Sequence, residues 1–264
     1  MPYLPLKDHR VFYTRAGSGP PLVLLHHATG THNDWRGQIP LLAATGYTVF
    51  AYDRHGFGRS DPLPAWSLDY HDHSVAELIE VLDALALARV ALVGHSDGAT
   101  IALMTAARYP ERVVAVVAEA PHMWIEPDWL ESGFETFRDT VGTSPRFWRA
   151  MEREHGERSR EVVERWWRRW LDPAFRSWDV SACLPWVRCP VLVVHGAGDI
   201  FFPLSHSEAI AARLVQAELR LIPNAGHTPH LEAPTEFNGY LLAFLQRWYP
   251  PTMVAEARKG PKDD

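Results

Sequence analysis

Six short runs dense in valine and leucine recur along the 264-residue chain, at PLVLLH (21–26), TVFAYD (48–53), VALVGH (90–95), VVAVVAE (113–119), VLVVHG (191–196) and LRLIP (219–223). None alternates apolar with polar residues, as a strand with one wet face would. They read as strands of a parallel sheet covered on both sides. VFYTRAG (11–17) reads as an earlier, antiparallel edge strand. Segments 74–87, 99–109, 205–215 and 234–248 repeat apolar residues at three and four, the spacing of helices that bury one face. Strand and helix in alternation predict the α/β class: a mostly parallel β-sheet flanked by helices.

One interval breaks the rhythm. Residues 121–186 contain no strand pattern, only helical segments such as SPRFWRAMERE and SREVVERWWRRWL. This interval reads as an inserted helical cap, between core segments 1–120 and 187–250. It holds eight of the eleven tryptophans, most of them expected to pack between helix and core, with Trp124 or Trp129 expected to wall a pocket. Residues 251–264, polar and broken by proline and glycine, read as a flexible tail.

Composition narrows the partners. A net charge of -6 without long basic runs argues against nucleic acid. No window reaches the ~18 apolar residues of a membrane span. The first residues, MPYLPLKDHR, lack the layout of a signal peptide, so a cytoplasmic protein is expected, monomeric or a small homo-oligomer. Cys183 and Cys189 are then expected to be reduced thiols.

The chemistry centres on Gly94-His95-Ser96-Asp97-Gly98, a G-x-S-x-G motif between a strand and a helix pattern. Two glycines let backbone pass close to backbone while the serine is pushed out at the strand end. A serine hydroxyl needs a base, and the base an orienting carboxylate. Later strand ends supply both, Asp199 in HGAGD and then His227 in NAGHTPHLEAP. With YDRHGFGRSD (52–61), these pieces resemble the α/β-hydrolase fold superfamily over nearly the whole chain. The resemblance implies Ser96 as nucleophile, His227 as general base and then acid, and Asp199 as its orienter. It gives Asp53, Arg54, Gly56, Gly58 and Ser60 a role in shaping a turn. No metal or organic cofactor is implied.

An oxyanion hole needs two backbone N–H groups. Asp97, after the nucleophile, is one. The other is expected in His26-His27-Ala28-Thr29-Gly30, where the superfamily usually has His-Gly-x; Ala28 is preferred over Thr29. The Asp97 side chain has two readings: a carboxylate at a helix N-terminus, or a partner for a cationic substrate group. Ser-Asp-Gly in the elbow, FRDTVGTSPRFW and LPWVRCPVLVVHGAGD resemble the biphenyl-hydrolase-like group that includes valacyclovirase. That resemblance implies α-amino-acid esters, with Asp97 gripping the amino group. Glu119 is expected either to line the site or to hold a loop. His95 is expected to pack. His71-Asp72-His73 reads as a solvated helix start without a metal, and RWWRR (165–169) as a solvated face. The function expected is a serine hydrolase of small carboxylic esters. An enol-lactonase or carbon–carbon hydrolase with the same triad is one alternative, and a non-catalytic binding or sensor protein on the same fold is the other.

Overall fold

The computed structural model describes residues 3–65, 67–139 and 141–251; the tail beyond lies outside the described residues. Strands β1 (Tyr3–Pro5), β2 (Arg10–Ala16), β3 (Pro21–Leu25), β4 (Thr48–Tyr52), β5 (Val90–His95), β6 (Val113–Glu119), β7 (Val191–Gly196) and β8 (Ala217–Ile222) form one sheet in the order β1-β2-β4-β3-β5-β6-β7-β8. From β4 through β8 all pairings are parallel. The VFYTRAG run is antiparallel to β4, but it is not the edge, because Tyr3–Pro5 pairs on its outer side. Three residues ending in proline gave no strand signal.

Helices α1 (Gln38–Ala44), α2 (Tyr70–Ala84), α3 (Asp97–Arg108), α4 (Pro127–Asp139), α5 (Pro145–His155), α6 (Ser159–Trp170), α7 (Leu204–Arg213), α8 (Pro229–Glu232) and α9 (Pro234–Trp248) complete the chain. Apolar side chains leave the sheet on both faces, which is why its central strands read as unbroken hydrophobic runs. Val23, Leu25, Leu92 and Val116 join a core with α2 and α3, whereas Leu22, Leu24, Ala91 and Val117 join one with α9. Between β6 and β7 lie α4, α5 and α6. They have their own cluster, in which Leu130, Phe134 and Trp170 pack with Phe202 from the loop after β7.

Chain direction sets the site. From β3 the sheet grows to one side through β4 and to the other through β5, so loops after β3 and β5 diverge at a switch point. Crevices of this kind at strand carboxyl ends are where open α/β sheets bind ligands. The inserted helices follow the carboxyl end of β6, at this same end of the sheet. No helix among the described residues is long and apolar enough to cross a membrane. Cys183 and Cys189 are free, and burial pushes their thiols up to about 11 and about 12.

Candidate active site

Ser96 sits between β5 and α3 with φ 54 and ψ -119, a left-handed conformation that non-glycine residues rarely adopt. The flanking glycines make the turn possible. A Cβ on Gly94 would lie 2.2 Å from the carbonyl oxygen of Gly98, and one on Gly98 would lie 2.2 Å from that of Leu25. The Ser96 N–H is anchored on the Glu119 carbonyl at 2.8 Å. These constraints aim the hydroxyl out of the sheet end.

The structure brings the three residues of the predicted triad together. Ser96 Oγ lies 3.0 Å from Nε2 of His227, and Nδ1 of His227 lies 2.8 Å from Oδ2 of Asp199. The N–H groups of Phe201 and Phe202 donate to the other oxygen, Oδ1, at 2.8 and 3.2 Å. Asp199 therefore accepts from Nδ1–H, which leaves Nε2 able to take the serine proton. Burial alone would push His227 down, but the charge and hydrogen bond of Asp199 outweigh it and raise the imidazole above its usual value. Burial would raise Asp199, and the pairing with His227 reverses that and holds it low.

Two positions gain definition. Ala28 and Thr29 both line the cavity at Ser96; Thr29 N–H donates to Nδ1 of His27 at 3.3 Å, whereas the Ala28 N–H has no such bond to that ring. His27 stands where a glycine is usual, but it is not among the residues with positive φ, so the loop does not need glycine there. The loop is pinned from below by Arg54, which donates to the His27 carbonyl at 2.8 Å and whose backbone N–H donates to His26 Nε2 at 3.1 Å. Asp97 opens α3, so its N–H has no acceptor in the helix.

Other expectations change. Glu119 does not line the cavity. It is fully buried and accepts from the backbone N–H and Nδ1 of His230, at 2.7 and 3.0 Å, so it holds the loop after His227. Trp124 does not wall the pocket either. It stacks on His206 with ring centroids 3.8 Å apart, because the chain after β6 turns its side chain toward α7. His95 does more than pack: its Nε2–H donates to the His227 carbonyl at 2.7 Å. His71 is not solvated, since α2 begins at Tyr70, a turn earlier than the apolar pattern predicts, and carries the ring inward. Arg169 is likewise buried, unlike Arg168 beside it.

His71 and Arg169 meet at the Asp97 side chain, together with His122. Asp97 Oδ1 accepts from Nε2 of His122 at 3.0 Å and faces Nε2 of His71 at 3.4 Å, while Oδ2 accepts from an Arg169 Nη at 3.2 Å. Burial would raise this carboxyl, but the Arg169 charge and the two histidine hydrogen bonds hold it well below the usual range. Burial keeps His122 low and His71 at about 4, so both are neutral donors. Nothing in the sequence flagged this set, whose members lie far apart in the chain.

Among the described residues, three groups of histidine and carboxylate atoms converge within 4.8 Å, as a metal site would require: His9–His55–Glu77, His71–Asp97–His122 and His95–Glu119–His230. In each, a histidine nitrogen already hydrogen-bonds the carboxylate. Those bonds account for the convergence.

A cavity of ≈ 450 Å³ opens at Ser96 and His227. Its far wall is apolar, built by Phe134, Phe137, Phe147 and Trp166 from the inserted helices and by Phe201 beside the acid. Phe201 also packs edge-on against His227 at 5.0 Å. No lysine or arginine is among the described residues that line it.

Residues 20–164 match a family described as the alpha/beta hydrolase fold. The chain is 30% identical over 250 residues to human serine hydrolase BPHL, an alignment that covers 90% of this chain and 83% of that protein. It is 29% identical to the 2-hydroxy-6-oxo-6-phenylhexa-2,4-dienoate hydrolase of Comamonas testosteroni, over 92% of this chain and 93% of that one. Among solved structures, a hydrolase from Pseudomonas aeruginosa superposes with a TM-score of 0.76 at 26% identity, covering 92% of this chain and 97% of that chain.

Proposed function

The chain belongs to the α/β-hydrolase fold family and is a hydrolase, and on that footing we propose that it is a serine esterase acting on uncharged carboxylic esters with a bulky apolar group. Ser96 Oγ attacks the ester carbonyl as His227 Nε2 takes its proton. The tetrahedral oxyanion rests on the N–H groups of Asp97 and Ala28. Collapse expels the alcohol, which takes the proton back from His227, and leaves an acyl-serine. Water then repeats the cycle from the other side: His227 deprotonates it, the acid is released and Ser96 recovers its proton. Asp199 holds the imidazole in the required tautomer and stabilises it when charged.

The observation that carries this reading is the cavity itself: an aromatic chamber that ends at a serine hydrogen-bonded to a histidine, with no cation among its described lining residues. Aromatic walls favour substrates that bury area. The missing cation speaks against substrates that carry a carboxylate, as the dienoate named in the Comamonas relative does. An enol-lactone without a free acid fits the same chamber. The narrower α-amino-ester reading loses support, because the Asp97 carboxylate already has Arg169 as its cation. The inserted helices act as a cap that sets substrate size.

The test is labelling by a fluorophosphonate probe with mass-spectrometric mapping, followed by turnover of p-nitrophenyl esters. We expect the label on Ser96, none on Ser96→Ala, and a higher kcat/KM for a phenylpropionate than for an acetate. A folded protein that takes no label and cleaves neither ester would return the non-catalytic reading to first place.

A further inference from the structure

A carboxylate beside the oxyanion hole is an electrostatic liability. Its charge repels the negative charge that develops on the substrate oxygen, and a dry site does little to screen it. Asp97 is 1% exposed, so solvent does not neutralise it. Its neighbours His71 and His122 are held neutral by burial. The positive charge that pairs with it belongs to Arg169, 72 positions away on the inserted helix α6.

Arg169 is built into this place. It is 5% exposed, and its guanidinium lies 4.0 Å from the centre of the Tyr70 ring and 5.3 Å from that of Trp170. One Nη donates to Asp97, while Nε and the other Nη have no hydrogen-bond partner among the described residues. A buried arginine with two idle donors is poor value as a generic packing element. It makes sense as a fixed charge. Arg169 does not line the cavity, whereas Asp97 does. The cation therefore stands behind the carboxylate and leaves the substrate's side free.

We propose that Arg169 is the internal counter-ion of Asp97, a specificity-determining residue that supplies the positive charge a cationic substrate would otherwise bring and so tunes the site to uncharged esters. This rests on the esterase reading above. It makes the inserted helices part of the reaction centre's charge balance, in addition to walling the cavity.

The experiment compares two esters of one alcohol: 3-phenylpropionate, which is uncharged, and phenylalanine, which adds an α-ammonium. Enzymes are wild type, Arg169→Met, Arg169→Lys and the double variant Asp97→Asn/Arg169→Met. Wild type is expected to prefer the uncharged ester. Arg169→Met should lower kcat/KM for that ester by about 10²-fold, mostly in kcat, and lower the amino ester much less, moving the ratio at least about tenfold toward the cation. Arg169→Lys should move it in the same direction by less. The double variant also lacks Arg169 but buries no unpaired charge. It should regain the uncharged ester to within about tenfold of wild type and lose the shift in ratio. Should Arg169→Met fail to fold, the lysine and double variants carry the test. Equal losses on both esters in the single variants, with no recovery in the double, would overturn the proposal. A wild type that cleaves neither ester and takes no label on Ser96 would remove the esterase reading and this inference together. Cleavage with an unmoved ratio would remove this inference alone.

Discussion

Replacing His155 with leucine should loosen both the fold and the loop proposed to carry the second oxyanion donor. His155 ends α5 and is 4% exposed. Its Nε2–H donates to the Thr29 carbonyl at 2.9 Å, and its Nδ1 accepts from the Gly58 N–H at 3.0 Å. Burial lowers its pKa, which fits this neutral tautomer with one donor and one acceptor. One ring thus ties the inserted helices to the loop that carries Ala28 and to the turn after β4. Leucine fills much of the volume and leaves two buried backbone groups unpaired. At ~1–3 kcal/mol each, the cost is about 4 kcal/mol. For a chain of this size that is a fall in Tm of roughly 8–16 °C. Differential scanning calorimetry measures it. With the loop no longer held, kcat for a p-nitrophenyl ester should fall about tenfold with little change in KM, well below the ~10²–10³ of losing a donor outright. His155→Gln, which offers a donor and an acceptor, should recover part of both. A leucine variant that melts within 2 °C of wild type, on the scale of about 0.5–1 kcal/mol, would refute the assignment of structural weight to these bonds.

Three further outcomes are expected. In the proposed mechanism His227 must be neutral to accept the serine proton, and its pKa is raised, so kcat/KM should climb with pH through a midpoint above 6.5; Asp199→Asn should lower turnover about 10⁴-fold and move the midpoint down, and stopped-flow pH profiles decide this. Phe137 is 8% exposed and lines the cavity between Phe147 and Trp166, so Phe137→Ala should cut kcat/KM for a phenylpropionate about tenfold while changing the acetate less than threefold, and an equal loss on both would show that the ring does not contact the acyl group. Burial holds His26 and His95 well below their usual value, His71 at about 4 and His206 at about 3. Groups kept neutral in the fold contribute stability that is complete above pH ~6.5 and lost below it, at about 1.4 kcal/mol per pH unit each. Asp34, raised to about 7 by burial, and His9 and His227, both raised, work in the opposite direction. His27, His55, His122, His155 and His195 are lowered too, so the lowered histidines outnumber the groups that oppose them, and the urea-unfolding free energy should fall from pH 7.5 to 5.5; a flat or rising profile would contradict it.

Much of this protein is written in local sequence. The α/β architecture follows from runs such as VALVGH and VVAVVAE, whose valines and leucines make sense only with both faces covered. Ser96, Asp199 and His227 were readable because each lies just after a strand, at the end of the sheet where a parallel arrangement gathers its loops. The edge strand Tyr3–Pro5 and helix α1 escaped because each is too short for a period to show. What surrounds the triad was decided only by tertiary structure. Glu119 stands at a strand end like Asp199, yet it is captured by His230, 111 positions on. Trp124 turns to His206, and the cavity takes its aromatic wall from α4, α5 and α6 instead. Asp97, Arg169, His71 and His122 come from three helices and a loop with no spacing in common. Hydrophobic periodicity reports which face of an element is buried. It carries no information on which buried charge meets which, because that depends on how separate elements dock, and here the docking of α6 determines what the carboxylate beside the serine is paired with.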